Sequence, residues 1–279
     1  MARDTTVTVI GESLVDIIRD PHGRSESQAH PGGSPLNVAV GAARLGLRTN
    51  LVTHYSQDPY GLMIDEHLRA NAVDVINGGT APTSTALATL GPDGGAEYTF
   101  SITWDINGAS LPAFTAVEDS THLHTGSIAT VLPPGDQTTL ALVESAREHA
   151  TINFDPNCRP AISPDAAVAR QQSEVFVAAS DIVKASDEDL RWLYPDRTPD
   201  ETLEAWLALG PAVVALTRGA SGPVVLSRNA RVEMAAEAII VADTVGAGDS
   251  FMAGLLSGLA QLDALGAGGQ NTAGQPDAR

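Results

Sequence analysis

The alternation of short apolar segments with helical segments constrains the fold of this chain more than any other feature. From residue 121 onward, β-rich runs are separated by amphipathic stretches long enough for a helix. Such spacing is typical of parallel strands joined by crossover helices, and uniformly apolar strands indicate a sheet covered on both faces. The sequence therefore predicts an α/β/α sandwich with a mostly parallel central sheet. The predicted strands are 5–10, 49–53, 121–125, 151–155, 181–185 and 212–217, and the predicted helices are 36–45, 60–72, 137–149, 167–179, 201–209 and 249–262.

Two segments depart from this alternation. Residues 12–31 are polar and mixed, and residues 84–106 have the pattern of a β-hairpin around a Gly-Pro-Asp-Gly-Gly turn. Together they predict a small separate sheet within one domain that spans residues 1–266. Residues 223–228 and 232–241 predict a late antiparallel pair. Residues 267–279 are Gly-rich without apolar periodicity, which predicts a disordered tail.

The charge balance excludes several classes of partner. With a formal net charge of −18, the surface repels nucleic-acid phosphates and anionic lipid, which argues against nucleic-acid and membrane partners. ATP is not excluded, because backbone amides and a metal ion can bind its phosphates. Cys158 is the one cysteine, so no intrachain disulfide forms. No signal-peptide pattern or bilayer-length apolar run is present, and we expect a cytoplasmic protein.

The strongest chemical signal lies in residues 243–251, Asp-Thr-Val-Gly-Ala-Gly-Asp-Ser-Phe, where a glycine-rich turn opens into an apolar helix. Backbone amides at a helix start attract anions. A carboxylate at Asp249 inside such a site is explained if it accepts a proton while the amides of Gly246, Ala247 and Gly248 hold phosphate charge. The alternative is that Asp249 only caps the helix, which is common for Asp.

Other phosphate-binding patterns are missing from the sequence. No G-x-x-x-x-G-K-[ST] loop occurs, and Gly11 stands alone after the first strand, without the G-x-G-x-x-G pattern. A dinucleotide-binding oxidoreductase is therefore disfavoured.

The chain resembles the ribokinase-like (PfkB) family of carbohydrate kinases in two regions. Residues 32–39, Gly-Gly-Ser-Pro-Leu-Asn-Val-Ala, are similar to the N-terminal signature of the family, and residues 243–256 are similar to its C-terminal signature. The resemblance implies a ribokinase-like fold and an ATP-dependent sugar kinase. It also implies that Asp249 is the catalytic base and that residues 246–248 form the anion hole.

The resemblance further implies where each substrate binds. Asp16, Gly32, Gly33 and Asn37 match positions that face the sugar, and the 84–106 hairpin, with Phe100, resembles a lid over it. Arg159, which follows a predicted strand end, matches a position that holds a sugar oxygen or the transferred phosphoryl group. The implied nucleotide-binding residues are Lys184, Thr217, Gly219 and Gly222.

Ser186 and Asp189 have two open interpretations. They occupy the place of a family N-x-x-E motif that organises metal-bound water, which implies an indirect role of Asp189 at Mg²⁺. Alternatively, Ser186 caps a helix over residues 187–193 and Asp189 is its capping-box acid.

The substrate and partners follow from the same resemblance. The hairpin resembles that of bacterial fructokinases, which implies transfer of the γ-phosphoryl group of ATP to D-fructose with Mg²⁺ and a monovalent cation such as K⁺. A 2-keto-3-deoxygluconate kinase or another sugar kinase is the alternative. The polar tail keeps open a sugar-binding protein with impaired turnover. The small sheet should pair with that of a second subunit in a homodimer, because its apolar surface is otherwise uncovered.

Overall fold

A computed structural model describes residues 5–19, 27–90, 96–237 and 245–266. The predicted tail at 267–279, the last four residues of the second late strand, 238–241, and the first two residues of the glycine-rich signature, 243 and 244, lie outside the described residues. The strands are β1 Thr6–Ile10, β2 Leu14–Arg19, β3 Gln28–Gly32, β4 Arg48–Thr53, β5 Asp74–Asn77, β6 Ser84–Leu90, β7 Ala96–Ser101, β8 His122–Gly126, β9 Thr151–Asp155, β10 Ile182–Ser186, β11 Val213–Thr217, β12 Val224–Ser227 and β13 Arg231–Glu233. The helices are α1 Ser34–Arg44, α2 Pro59–Ala70, α3 Ser110–Glu118, α4 Gly135–Ala146, α5 Ala166–Ala178, α6 Asp187–Leu193, α7 Pro199–Leu209 and α8 Ala247–Gln261.

The main sheet has nine strands in the order β13-β12-β11-β10-β9-β8-β1-β4-β5. All pairings from β11 to β5 are parallel, whereas β12 and β13 are antiparallel. The prediction of a mostly parallel sheet is confirmed. Because the parallel strands all end at one edge, their polar terminal residues are brought to the same side of the molecule.

Apolar layers cover both faces of this sheet. Val7 and Val9 of β1 belong to one cluster with residues of α1, α2 and α8, and Ile10 belongs to the other cluster with residues of α3, α4, α5 and α7. Alternate residues of a strand point to opposite faces, so β1 contributes to both layers. The contact of α1 with α8 is close, since a Cβ added at Gly41 would lie 2.7 Å from the Ala253 Cβ. This packing brings the amino ends of α1 and α8 together.

The second sheet has four strands in the order β3-β2-β6-β7, and we call it the lid sheet. Strand β2 pairs with β3 in antiparallel and with β6 in parallel orientation, and β6 and β7 form the predicted hairpin. Val15 and Ile17 of β2 pack with residues of α2 in an apolar cluster. The small separate sheet expected from residues 12–31 and 84–106 is therefore confirmed.

Several predicted boundaries need correction. The last helix begins at Ala247 rather than at Asp249, so that Asp249 lies within the first turn of α8. The second late strand is observed only at Arg231–Glu233. Strand β5 and helix α3 have no counterpart in the prediction. Both are short segments, for which periodicity separates helix, strand and loop poorly.

Candidate active site

Asp249 lies where the amino ends of α1 and α8 meet. Its carboxylate accepts hydrogen bonds from Ser34 Oγ to Oδ1 at 2.6 Å and from Asn37 Nδ2 to Oδ2 at 2.8 Å. The residue is only 7% exposed, yet it contributes to the wall of a cleft. Each carboxylate oxygen keeps a further lone pair, because one hydrogen bond occupies only one of the two. The carboxylate is therefore held in one orientation and can still accept a proton from a bound group.

The glycine-rich turn forms the adjacent wall of this cleft. Gly246 has a φ of 74°, a left-handed conformation that favours glycine, and it is the residue before α8. Ala247 and Gly248 then begin the helix, and the first-turn amides of a helix lack intrahelical acceptors. The cleft has a volume of about 380 Å³ and is lined by all three residues. Amides and the positive end of the helix dipole make this wall suited to an anion.

A buried ion pair lies behind the glycine-rich wall of the cleft. Lys184 Nζ lies 2.7 Å from Asp155 Oδ2, and their side chains are 4% and 1% exposed. A Cβ added at Gly248 would lie 3.0 Å from Lys184 Nζ, which places the ammonium beside the first turn of α8. Burial raises the pKa of Asp155 to about 6, against the opposing effect of Lys184. Burial lowers the pKa of Lys184, but the carboxylates of Asp155, Asp189 and Asp249 together oppose this effect, and the net direction of the pKa is upward.

The loop after β9 brings Arg159 to the cleft. Its Nη1 donates to the Asn157 carbonyl at 3.1 Å, to Asn157 Oδ1 at 2.7 Å and to the Cys158 carbonyl at 3.0 Å. These contacts fix one nitrogen of an otherwise exposed side chain. Thr217, the last residue of β11, and Gly219, two residues beyond it, line the same cleft. The structure therefore brings Arg159, Lys184, Thr217 and Gly219 together with Asp249.

The lid sheet carries the residues predicted to face a sugar. Asp16, Ala86 and Phe100 lie side by side in register on β2, β6 and β7 and thus share one face of the sheet. Asp16 is half-buried. Burial raises its pKa, while the charges of Arg159 and His30 lower it. This face lies close to the turn into α1, because Asp16 pairs with His30 of β3, two residues before Gly32.

Gly32 and Gly33 connect the lid sheet to α1. A Cβ added at Gly32 would lie 2.2 Å from Asp16 Oδ2, so the Asp16 carboxylate rests directly against the backbone there. Gly33 has a φ of 108°, which a larger residue would adopt only with strain, and it is the residue before α1. This turn sets Asn37 and Ser34 at the start of α1, where both reach Asp249.

Asp189 adopts the capping arrangement. Its Oδ2 accepts from Ser186 N at 2.8 Å and from Ser186 Oγ at 2.6 Å, and its Oδ1 accepts from Cys158 N at 2.7 Å. Ser186 is the N-cap of α6 with a complete capping box. The interpretation of Ser186 and Asp189 as a helix cap and its capping-box acid is confirmed. Both Asp189 oxygens are engaged, and a role at Mg²⁺ stays a prediction.

Within the described ranges, no cluster of three His, Cys, Asp or Glu side chains could hold a metal ion. The cleft wall does include Asp187 and the exposed Glu188. Mg²⁺ is commonly held by one or two carboxylates together with substrate phosphates and water. The cleft therefore fits an ion that arrives with a nucleotide.

Gly222 is the one predicted nucleotide-binding residue that does not line this cleft. A Cβ at Gly222 would lie 2.0 Å from the Met234 carbonyl oxygen, so the residue packs against backbone beyond β13. The residues predicted to face the sugar, Asp16, Gly32, Gly33, Asn37 and Phe100, also lie outside the lining of the cleft, although Asn37 contacts Asp249.

Sequence reasoning gave no role to Ser34, Asp155 or Glu12. A signal existed for Asp155, because it and Lys184 lie near the carboxyl ends of predicted neighbouring strands. No local pattern identifies Ser34 as a partner of Asp249.

Comparisons with known proteins identify the family of this chain. Residues 4–274 match the pfkB family carbohydrate kinases. A fructokinase of Rhizobium leguminosarum bv. trifolii is 33% identical over 259 residues, covering 89% of this chain and 78% of that protein. A fructokinase of Klebsiella pneumoniae is 32% identical over 266 residues, covering 91% of this chain and 84% of that protein.

Solved structures show the same fold. A fructokinase double mutant of Vibrio cholerae O395, with bound fructose, ADP and potassium ion, has a TM-score of 0.76 and 27% identity, covering 92% of this chain and 84% of that chain. A fructokinase of Xylella fastidiosa with bound ATP has a TM-score of 0.85 at 23% identity, covering 98% and 87%, and this match concerns the fold alone. Within the described residues, no helix is both long and apolar enough to cross a bilayer. On its sequence match, its fold and the grouping of its site residues, the chain belongs to the PfkB family of carbohydrate kinases and is a sugar phosphotransferase.

Proposed function

We propose that this kinase transfers the γ-phosphoryl group of ATP to the 6-hydroxyl group of D-fructose. One observation carries the proposal: the Asp249 carboxylate, oriented by Ser34 and Asn37, stands beside the helix-start amides and the Lys184 ammonium in one cleft. A base and an anion-binding wall side by side are the two elements that phosphoryl transfer to an alcohol needs. The fructokinase names of relatives at about 30% identity support fructose as the acceptor.

In the proposed reaction, Asp249 accepts the proton of the 6-hydroxyl group as its oxygen attacks the γ-phosphorus. The bond between that phosphorus and the bridging oxygen of ADP breaks in the same displacement. Amides of residues 246–248 and the Lys184 ammonium stabilise the charge on the phosphoryl oxygens, since preorganised donors act strongly in a site that excludes water. Bound Mg²⁺ supplies further charge neutralisation at the phosphates.

The two sides of the cleft bind different substrates in this proposal. Asp16 and Asn37, with the backbone of Gly32 and Gly33, hold sugar hydroxyl groups, and Phe100 covers the sugar from the lid sheet. Thr217 and Gly219 lie along ATP, and Gly222 supports their loop through its backbone packing. A monovalent cation is part of the proposal, because the Vibrio cholerae fructokinase structure contains a potassium ion.

We also propose a homodimer formed through the lid sheet. Ile18 on β2 is 42% exposed, and β3 and β7 are the edges of a sheet with four strands. Exposed strand edges and apolar residues are typical of surfaces that pair with a second copy. Light scattering at micromolar concentration should give the mass of two chains, and a monomer mass would contradict the pairing.

A coupled assay of ADP release with a panel of sugars tests the function. With ATP and Mg²⁺, we expect D-fructose to give the highest kcat/KM, and 2-keto-3-deoxygluconate to give a lower value. Asp249→Asn should lower kcat by about 100-fold to 10,000-fold, as expected for loss of a general base. Its control is Asp119→Asn, an equal charge change at an exposed residue after α3, which should leave kcat unchanged.

Three outcomes would overturn parts of the proposal. A preference for another sugar refutes fructose but keeps the kinase. Near-normal turnover by Asp249→Asn refutes the base assignment. Calorimetric binding of fructose without ADP release, in the presence of ATP and Mg²⁺, would instead identify a sugar-binding protein.

A further inference from the structure

Asn157 lies in the wall of the cleft, and the proposed reaction gives it no role. It is the second residue after β9, and it lines the cleft together with Arg159 and Lys184. Its φ is 37°, in the left-handed region that is uncommon for side chains other than those of Asn, Asp and His. A residue held in this region at the wall of a cleft calls for a physical reason.

The side chain of Asn157 is one of the groups that hold Arg159. Its Oδ1 accepts a hydrogen bond from Arg159 Nη1 at 2.7 Å, and its carbonyl oxygen accepts from the same nitrogen at 3.1 Å. The Cys158 carbonyl oxygen is the third acceptor, at 3.0 Å. The side-chain amide therefore provides the shortest of the three contacts that hold this nitrogen.

The backbone of Asn157 connects Arg159 to the buried ion pair. Asn157 N donates to Asp155 Oδ1 at 3.2 Å, and Asp155 Oδ2 accepts from Lys184 Nζ at 2.7 Å. One continuous series of hydrogen bonds thus runs from the ammonium beside Gly248 to the exposed guanidinium. Asn157 contacts the buried carboxylate through its backbone and the exposed cation through its side chain.

Arg159 needs this support because its side chain is exposed. A long side chain in water occupies many rotamers, and contacts that order it before a ligand arrives reduce the entropic cost of binding. A guanidinium binds phosphate oxygens through two parallel N–H donors, so the orientation of its plane matters. Within the described part of the chain, Nε and Nη2 of Arg159 make no hydrogen bond, and together they form such a donor edge.

We propose that Asn157 is a positioning residue that orients the Arg159 guanidinium, so that its Nε–Nη2 edge binds the terminal phosphoryl group of ATP. This inference rests on the proposed function, in which Lys184 and residues 246–248 line the phosphate side of the same cleft. Asn157 acts through Arg159 and not on the substrate, because its side-chain oxygen is engaged with Nη1.

The first test separates the side chain of Asn157 from its backbone. Asn157→Gly adopts a positive φ without strain and keeps the amide that contacts Asp155, but it removes the side-chain acceptor of Arg159. We expect kcat to fall by about 10-fold to 100-fold, because a contact to the transferred group is misplaced, while KM for D-fructose changes little. A wild-type kcat in Asn157→Gly would overturn the inference.

Asn71 provides a matched control. Its Oδ1 accepts from Arg44 Nε at 2.7 Å at the end of α2, so it holds an arginine as Asn157 does, but neither residue lines the cleft. Asn71→Gly should therefore keep the wild-type kcat and the wild-type KM for both substrates.

A double-mutant cycle tests whether Asn157 acts through Arg159. Arg159→Met removes the guanidinium and should lower kcat more than Asn157→Gly does. If the two residues act as one unit, adding Asn157→Gly to Arg159→Met should lower kcat no further. Reductions that multiply independently would contradict this mechanism.

A binding measurement without turnover separates this inference from the proposed function. Calorimetry uses the Mg²⁺ complexes of ADP and of β,γ-imido-ATP, an analogue that retains the terminal phosphoryl group, and it needs no sugar. Asn157→Gly should weaken binding of the analogue by about tenfold and binding of ADP much less, since only the analogue presents that group to Arg159. Equal losses for the two nucleotides would refute the inference, whichever sugar is phosphorylated. Absence of nucleotide binding by the wild type would refute the ATP-dependent function itself, and this inference with it.

Discussion

Removing one charge from the Asp155–Lys184 pair should destabilise the protein strongly. Asp155→Asn keeps the shape of the side chain but leaves a Lys184 ammonium that is 4% exposed without its counter-charge. At 2.7 Å, the attraction corresponds to about 6 kcal/mol with an effective dielectric constant near 20. Desolvation of the two charges offsets part of this attraction. Loss of one partner of a buried ion pair typically lowers the free energy of unfolding by about 3–5 kcal/mol.

The same change should also weaken ATP binding. Lys184 Nζ lies beside Gly248 in the proposed anion site, and its orientation depends on Asp155. We expect KM for ATP to rise by at least about tenfold in Asp155→Asn, while KM for fructose changes less. One hydrogen bond between charged groups accounts for an effect of this size.

Urea unfolding at pH 7.5 and initial-rate kinetics measure the two effects. A double-mutant cycle with Asp155→Asn, Lys184→Met and their combination isolates the pair, because the double variant leaves no unpaired charge. The control is Asp200→Asn, which breaks an exposed contact with Arg231 and should shift the midpoint little. A single-variant cost below about 1 kcal/mol, or additive single effects, would refute this reasoning.

Three further changes test other parts of the site. Asp16→Ala should raise KM for fructose at least about tenfold and leave KM for ATP unchanged, by steady-state kinetics. Gly32→Ala should also raise KM for fructose, because the added Cβ would lie 2.2 Å from Asp16 Oδ2 and would displace the carboxylate. Glu12→Gln should stabilise the protein above pH 7 by up to about 3 kcal/mol in urea unfolding, since the wild type loses stability as pH rises from 4.5 to about 7. No stabilisation at pH 8 would contradict the last prediction.

Much of the secondary structure could be predicted from the local sequence. Apolar five-residue strands such as β9 and β11 lie within one residue of their predicted bounds, because periodicity and β-branched content act within a short window. Short elements with weak signals were missed, among them β5 and α3. The capping box of Ser186 and Asp189 was one of the two interpretations that the sequence allowed, because its hydrogen bonds join residues only three positions apart.

The alternation of strands and helices and the carboxylate beside a glycine-rich helix start could both be predicted, because each depends on residues that are neighbours in the chain. The partners of that carboxylate could not be predicted, because they come from distant parts of the chain. Asp249 bonds to Ser34 and Asn37, more than 200 residues away, because α1 packs on α8. Likewise, the Asp155–Lys184 pair depends on strand order, which places β9 beside β10. Local propensity does not encode these side-chain contacts, because they form only when elements that are distant in sequence pack in one core.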